Sequence, residues 1–335
     1  MNQFAQATHQ TQEKDVLKKK PALIYRWLGD KIFATITITL GITIMALALT
    51  LAFVLLDESW EALTTFGLWG FISGTSWDAS VKLEFGALPF IIGTLSVSFA
   101  ALAISFLPAI AVAIFITEYA PSWLSQIIDN LVNLIAAIPS VVLGIWGIFV
   151  LVPWAREAFY NPAVNWAQAN YPALEPLLGN PVGFGMATAT IVLSLMILPY
   201  ITALTKEAIN LVPSEQREAC RALGATRWET IRMAVIPYAR GGIMAGSILS
   251  LGRAIGETMA VAMLIGNSNS LPFSLFGPAA TMPSVIVNEF REAVGSLHLS
   301  SLMGIGFVLF LIAVVVNLLA AYITRKFSFK GGRDV

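Results

Sequence analysis

Six long apolar stretches, each almost free of charge, leave few folds open to this chain. They run roughly from Lys31 to Leu56, Ala87 to Thr117, Leu124 to Val152, Pro181 to Leu204, Gly241 to Ile265 and Ser300 to Tyr322. At about 1.5 Å of rise per residue, each is long enough as a helix to cross a hydrocarbon layer of roughly 30 Å. Hydrophobic residues make up 57% of the 335 and charged ones only 12%, far more apolar surface than a soluble domain buries. The expected fold class is an all-α polytopic membrane protein. The second and third stretches are longer than a simple crossing and contain Pro108 and Pro139, which predicts kinks or tilts.

The basic residues are distributed unevenly between the loops. Sixteen of the 20 Lys and Arg fall before or at the start of the first stretch, between Lys206 and Arg240, or after the last stretch. Only Lys82, Arg156 and Arg291 occupy the remaining loops. By the excess of positive charge on the inner side, both termini are expected in the cytoplasm. The formal net charge of zero conceals this asymmetry. Cys220, the one cysteine, excludes an internal disulfide framework. The first stretch lacks a small-residue cleavage site and reads as a retained anchor.

The polar loop before the fifth stretch has an organisation of its own. Pro213 and Ser214 are helix-start residues, and Gly224 is suited to the left-handed conformation that ends a helix. Thr226 followed by Glu229 predicts a capping box for a second short helix. Ala219, Cys220, Ala222 and Ala225 keep the first helix slim, while Arg217 and Arg221 lie one turn apart on a face predicted to be solvated. Such an elbow suits docking, although on spacing alone an ordinary amphipathic loop also accounts for it.

The fifth stretch carries Arg253 and Glu257 near its middle. At four residues apart they are expected to share a helix face and pair, with Gly246, Ser250 and Ala260 extending the stripe. Each charge costs about 2.5–3.5 kcal/mol at the centre of a membrane helix, so the pair must face protein or water. It is either functional or a device that locks helix packing.

The other segments say less. The tail from Met1 to Lys20 reads as disordered, its lysines as topology markers and anionic-lipid contacts rather than a nucleic-acid site. Trp60, Trp69 and Trp77 suit an interfacial belt. Gln126, Asp129, Asn130 and Asn133 recur at helical spacing at the start of the third stretch, facing other helices, a cavity or water. The loop from Pro153 to Asn180 reads as an interface-hugging segment, and Ser284 to Val294 as a short amphipathic stretch on the membrane surface or over a pathway. There is no G-x-x-x-x-G-K-[ST] loop to cradle a nucleotide phosphate. His9 and His298, the only histidines, exclude a clustered histidine metal site. No triad of Ser, His and Asp can assemble, so neither enzymatic activity nor a cofactor is expected.

The run EACRALGATRWETIRMAVIP from Glu218 resembles the cytoplasmic motif of ATP-binding-cassette (ABC) importer permeases, with Glu218, Ala219, Gly224, Ile236 and Pro237 on the motif positions. Cys220 and Ala234 are mild departures from it. FGALPFIIGTL from Phe85, IPSVVLGIWG from Ile138 and RAIGETMAVAMLIGN from Arg253 are similar to the phosphate-specific branch, in particular its PstC type.

The resemblance implies a six-helix type I importer permease. Its parts would be a basic tail (1–30), a first transmembrane helix (31–56), a permease core (86–322) with a coupling loop (205–240), and a C-terminal tail (323–335). The implied partners are a PstA-type permease, two PstB-type ATPase subunits, an external PstS-type phosphate-binding protein and the lipid bilayer. Carried onto this sequence, Arg217, Glu218, Ala219, Arg221, Gly224, Ala225 and Thr226 would form the coupling helix, and Arg253, Glu257 and Ser250 would line the pathway. A PstA-type paralogue, a permease for another oxyanion, an ATP-independent channel or secondary transporter, and a sensory subunit stay open at this point.

Overall fold

The computed structural model describes residues 20–79 and 82–327. Apart from Lys20, the expected N-terminal tail lies outside the described residues, as do residues 328–335 at the other end. Two compact units divide between Val54 and Leu55. The first is carried by most of helix α1 (Lys20–Glu58), which runs 39 residues without a breaker.

The second unit holds the core. Its main helices are α2 (Leu88–Ile114), α3 (Ser122–Ala137), α4 (Ser140–Trp146), α5 (Met186–Asn210), α6 (Ser214–Ala222), α7 (Arg227–Thr230), α8 (Ile236–Ile255), α9 (Met259–Leu264), α10 (Met282–Glu289) and α11 (Ser296–Phe327). Among the described residues six helical runs are long and apolar enough to span a membrane: Asp30–Glu58, Leu88–Tyr119, Ser140–Asn170, Met186–Asn210, Arg227–Ile255 and Ser296–Lys326.

Helix α5 is the hub. It packs against α2, α8 and α9, and Leu193, Ile197 and Ile201 bury completely against Val97 and Ala101 of α2 and Ala254, Ala260 and Leu264 beyond it. A second cluster joins Ala113, Ile209, Val212, Val235 and Ile243 where these helices end near the elbow.

The third span departs from expectation. Pro139 has no N–H to donate, and it pushes Ile138 out of the helical region to φ −66°, ψ 126°. Helix α3 therefore stops at Ala137, and a new helix starts at Ser140. Leu124 to Ala137 is a separate amphipathic helix, and the crossing is Ser140–Asn170. The aromatic segment expected as a loop from Pro153 is helical through Asn170. Tyr160 in it is buried, bonding its hydroxyl to Thr188 Oγ1 at 2.9 Å and stacking on Phe276 at 4.3 Å.

A third cluster gathers around Trp77. Trp60 and Trp69 are exposed as an interfacial belt requires, but Trp77 is buried between Phe85 and Phe90. It lies in β1 (Trp77–Asp78), paired antiparallel with β2 (Glu84–Phe85). Its indole N–H donates to Glu289 Oε2 at 2.8 Å, and His298 Nε2 meets the same oxygen at 3.0 Å. Asn269 donates to Glu289 Oε1 at 2.9 Å. Helix α10 starts inside the core, with Met282, Pro283, Ser284 and Val285 buried, while Val287 and Asn288 further along are exposed, as in an amphipathic stretch.

Candidate functional site

The fifth span is broken in the middle of the RAIGET run. Helix α8 ends at Ile255, Gly256 takes φ −89°, ψ 0°, and Thr258 is distorted to φ −108°, ψ −64° before α9 begins at Met259. The polar side chains compete with the backbone for its own groups. Thr258 Oγ1 donates to the Gly256 carbonyl at 3.3 Å, and Glu257 Oε1 accepts the Ala260 amide at 3.4 Å.

The expected ion pair is not formed. The break takes Glu257 out of the register that Arg253 would share on a continuous helix. The ion pairs among the described residues are Lys206–Asp129, Arg217–Glu118 and His298–Glu289, and Arg253 with Glu257 is not one of them. Arg253 instead holds its guanidinium carbon 4.3 Å from the centre of the Tyr200 ring. Arg253 is exposed on the chain surface and Glu257 is half-buried. Ser250 is buried, its hydroxyl donating to the Gly246 carbonyl at 2.8 Å.

The two helix breaks are connected. Beyond them α4 packs on α9 so closely that a Cβ at Gly144 would sit 2.7 Å from Met263 Sδ, and one at Gly147 2.8 Å from Leu264 Cδ1. On the near side, the Tyr200 hydroxyl donates to the Ala136 carbonyl at 3.5 Å, in the last turn of α3 just before Pro139. Tyr200 thus touches the ends of both interrupted helices. Sequence reasoning passed over it, although an aromatic side chain with a polar tip in the middle of an apolar span is a detectable signal.

The elbow forms as the residues demand. Gly224 has φ +85°, and the Gly224 and Ala225 amides donate to the carbonyls of Arg221 at 2.9 Å and Cys220 at 3.1 Å, closing a Schellman turn. The capping box is complete: Glu229 N donates to Thr226 Oγ1 at 3.3 Å and Thr226 N to Glu229 Oε2 at 2.8 Å. The second helix is not short, however, because α7 runs through a wide turn into α8 as one span.

Glu218, Ala219, Arg221, Gly224 and Thr226 are exposed and Ala225 is half-buried. Leu223 at the tip is 90% exposed and Trp228 beside it 55%. Arg217 is not on this face, which corrects the solvated position expected for it. Its Nη2 lies 3.0 Å from Glu118 Oε1, and it donates to the carbonyls of Val212 at 2.6 Å and Ile209 at 2.9 Å. It ties α6 to the ends of α2 and α5, a favourable place for a cation. Asp129 of α3 likewise meets Lys206 of α5 at 2.6 Å. Glu118 was also missed; a lone acid at the end of an apolar span signals a partner elsewhere.

Comparison with known proteins gives this geometry a context. Residues 109–329 match the family model described as binding-protein-dependent transport system inner membrane component. The phosphate transport system permease protein PstC of Mesorhizobium japonicum is 41% identical over 319 residues, covering 95% of this chain and 97% of the relative. The PstC of Haemophilus influenzae is 38% identical, covering 92% and 96%. In fold the chain is similar to a subunit of the inward-facing MetNI methionine ABC transporter, with a TM-score of 0.53 at 15% identity over 72% of this chain and 95% of that one. A subunit of a bacterial alginate ABC transporter gives a TM-score of 0.52 at 16% identity over 73% and 80%. The chain is a multi-pass protein of the cytoplasmic membrane with the type I importer permease fold. It belongs to the binding-protein-dependent transport system inner membrane components, and within them to the PstC branch.

Proposed function

We propose that this chain is one permease of an ATP-driven phosphate importer, forming half of the translocation path and receiving motion from an ATPase through α6 and its elbow. The observation that carries the reading is Arg253, an exposed arginine at a break within an apolar span, with no carboxylate paired to it among the described residues. A guanidinium presents N–H donors in a fixed plane that matches the oxygens of phosphate. The PstC relatives support phosphate as the anion.

The remaining parts follow the same reading. A PstA-type permease completes the path, two PstB-type ATPases hydrolyse ATP, and a PstS-type protein delivers the anion outside. This chain has no nucleotide-cradling loop of its own. Glu218, Ala219, Arg221, Gly224, Ala225 and Thr226 present the docking face, with Leu223 as an apolar contact at its tip. Arg217 contributes from behind, by anchoring the elbow to two spans. The uneven Lys and Arg distribution supports cytoplasmic termini. The proposed parts remain a tail (1–30), a first helix (31–56), a core (86–322) with the loop 205–240, and a second tail (323–335). ATP-driven closure of the ATPases would rock the elbow and the spans tied to it.

The test is ATP-dependent uptake in liposomes holding the complete complex, with phosphate, arsenate, sulfate and molybdate as competing anions. Arg253→Gln is expected to lower phosphate uptake by about tenfold or more while the ATPases still co-purify. Full uptake by that variant would remove Arg253 from the path. Preference for sulfate or molybdate would reassign the substrate.

A further inference from the structure

Arg253 and Glu257 have the spacing of a helical ion pair, yet the arginine lies over an uncharged ring instead. We infer that Tyr200 is a positioning residue that keeps the Arg253 guanidinium from Glu257 and so leaves its charge available to an entering anion. This rests on the reading of Arg253 given above.

The argument is one of competing partners. A carboxylate would neutralise the cation and occupy its N–H donors, making the site its own inhibitor. A ring face attracts the same cation through its quadrupole but adds no formal charge and satisfies no donor that phosphate oxygens need. Tyr200 is well supported for the task. It extends from α5 between the fully buried Ile197 and Ile201, so its backbone is fixed by the core. Its hydroxyl also lies 3.5 Å from the Ala136 carbonyl at the end of α3, a long contact to a second helix. Glu257 is meanwhile engaged with the Ala260 amide at the start of α9. The break at Gly256 and the ring of Tyr200 thus act together, one moving the carboxylate out of register and the other holding the arginine.

The prediction separates this role from plain packing. Uptake is measured in liposomes with the complete complex for Tyr200→Leu, Tyr200→Phe, Arg253→Gln and the double variant Tyr200→Leu/Glu257→Gln. On the same preparations, modification of Arg253 by phenylglyoxal is followed by mass spectrometry of its peptide. Without the ring the arginine is expected to fall onto Glu257. Tyr200→Leu should then lose about tenfold in uptake, and Tyr200→Phe should recover most of that loss. Arg253 should also be modified severalfold more slowly in Tyr200→Leu, and at the parental rate again once Glu257 is replaced.

A packing role would give a different pattern, with loss in Tyr200→Leu but unchanged Arg253 reactivity and no relief from Glu257→Gln. That pattern, or parental uptake by Tyr200→Leu, overturns the proposal. If Arg253→Gln itself transports normally, it is the reading of Arg253 as a pathway residue that fails. The reactivity measurement still reports on Tyr200 in that case.

Discussion

Arg217 and Glu118 are 99 residues apart in sequence and 3.0 Å apart in space, and their contact is what fastens the elbow to the bundle. Glu118 is almost fully buried, with 7% of its side chain exposed, so removing the arginine strands a carboxylate among apolar neighbours. Arg217→Met is expected to cost about 3 kcal/mol, the usual penalty for breaking a buried pair from one side. Thermal unfolding in detergent measures it. Replacing both partners by apolar residues should recover part of the loss, and an unchanged melting temperature in the single variant would count against the anchoring role.

Gly224 is open on all sides, since a Cβ there would meet nothing within 4 Å, and only its φ of +85° demands glycine. Gly224→Val should therefore cost about 1–2 kcal/mol in backbone strain and deform the elbow without creating a clash. Retention of the ATPases in a pull-down should fall sharply in Gly224→Val and survive in Gly224→Asn, because asparagine tolerates this conformation. Equal retention in both would exclude the turn geometry as the determinant.

Gly93 poses the opposite problem. A Cβ at this position would run into the Ala280 carbonyl oxygen, a backbone atom that cannot step aside. Gly93→Ala is expected to destabilise the contact between α2 and the start of α10 by about 1–3 kcal/mol. Gly70→Ala, with nothing within 4 Å, is the matched control and should leave the melting temperature in place.

Glu289 receives three N–H groups, two of them on one oxygen. Glu289→Gln keeps the volume but turns one oxygen into a donor, so at least one partner loses its acceptor. The expected cost is about 1–3 kcal/mol. Quenching of the tryptophan signal on heating, compared with that of Trp77→Phe, checks it; coincident melting of parent and Glu289→Gln would contradict it.

The spans and the elbow were legible because their causes are local. Apolar length sets the helices, and Gly224, Thr226 and Glu229 carry their turn and cap within a few residues. Arg217 was misread for the converse reason. One turn from Arg221 it looks like half of a solvated stripe, and only folding brings Glu118 and two helix-end carbonyls to it.

The two helix breaks were obscured by a different ambiguity. Pro139 permits either a kink or a stop, and which one results depends on whether neighbours such as Tyr200 satisfy the freed carbonyls. Around Gly256 the apolar period continues through the break, so counting residues pairs Arg253 with Glu257 although the backbone between them is no longer helical. Trp77 resembled its exposed neighbours because composition does not distinguish a belt from a core.

The exposed guanidinium at an interrupted span has one more consequence, for the life of the chain before it meets its partners. In an orphan copy Arg253 and the interrupted backbone around Gly256 stay exposed, which is costly wherever they meet lipid. If a second subunit covers this surface, pulse-labelled chain made alone should decay faster than chain made with the full set. The subunit stoichiometry of the membrane would then be kept by the same arginine that is proposed to meet the anion.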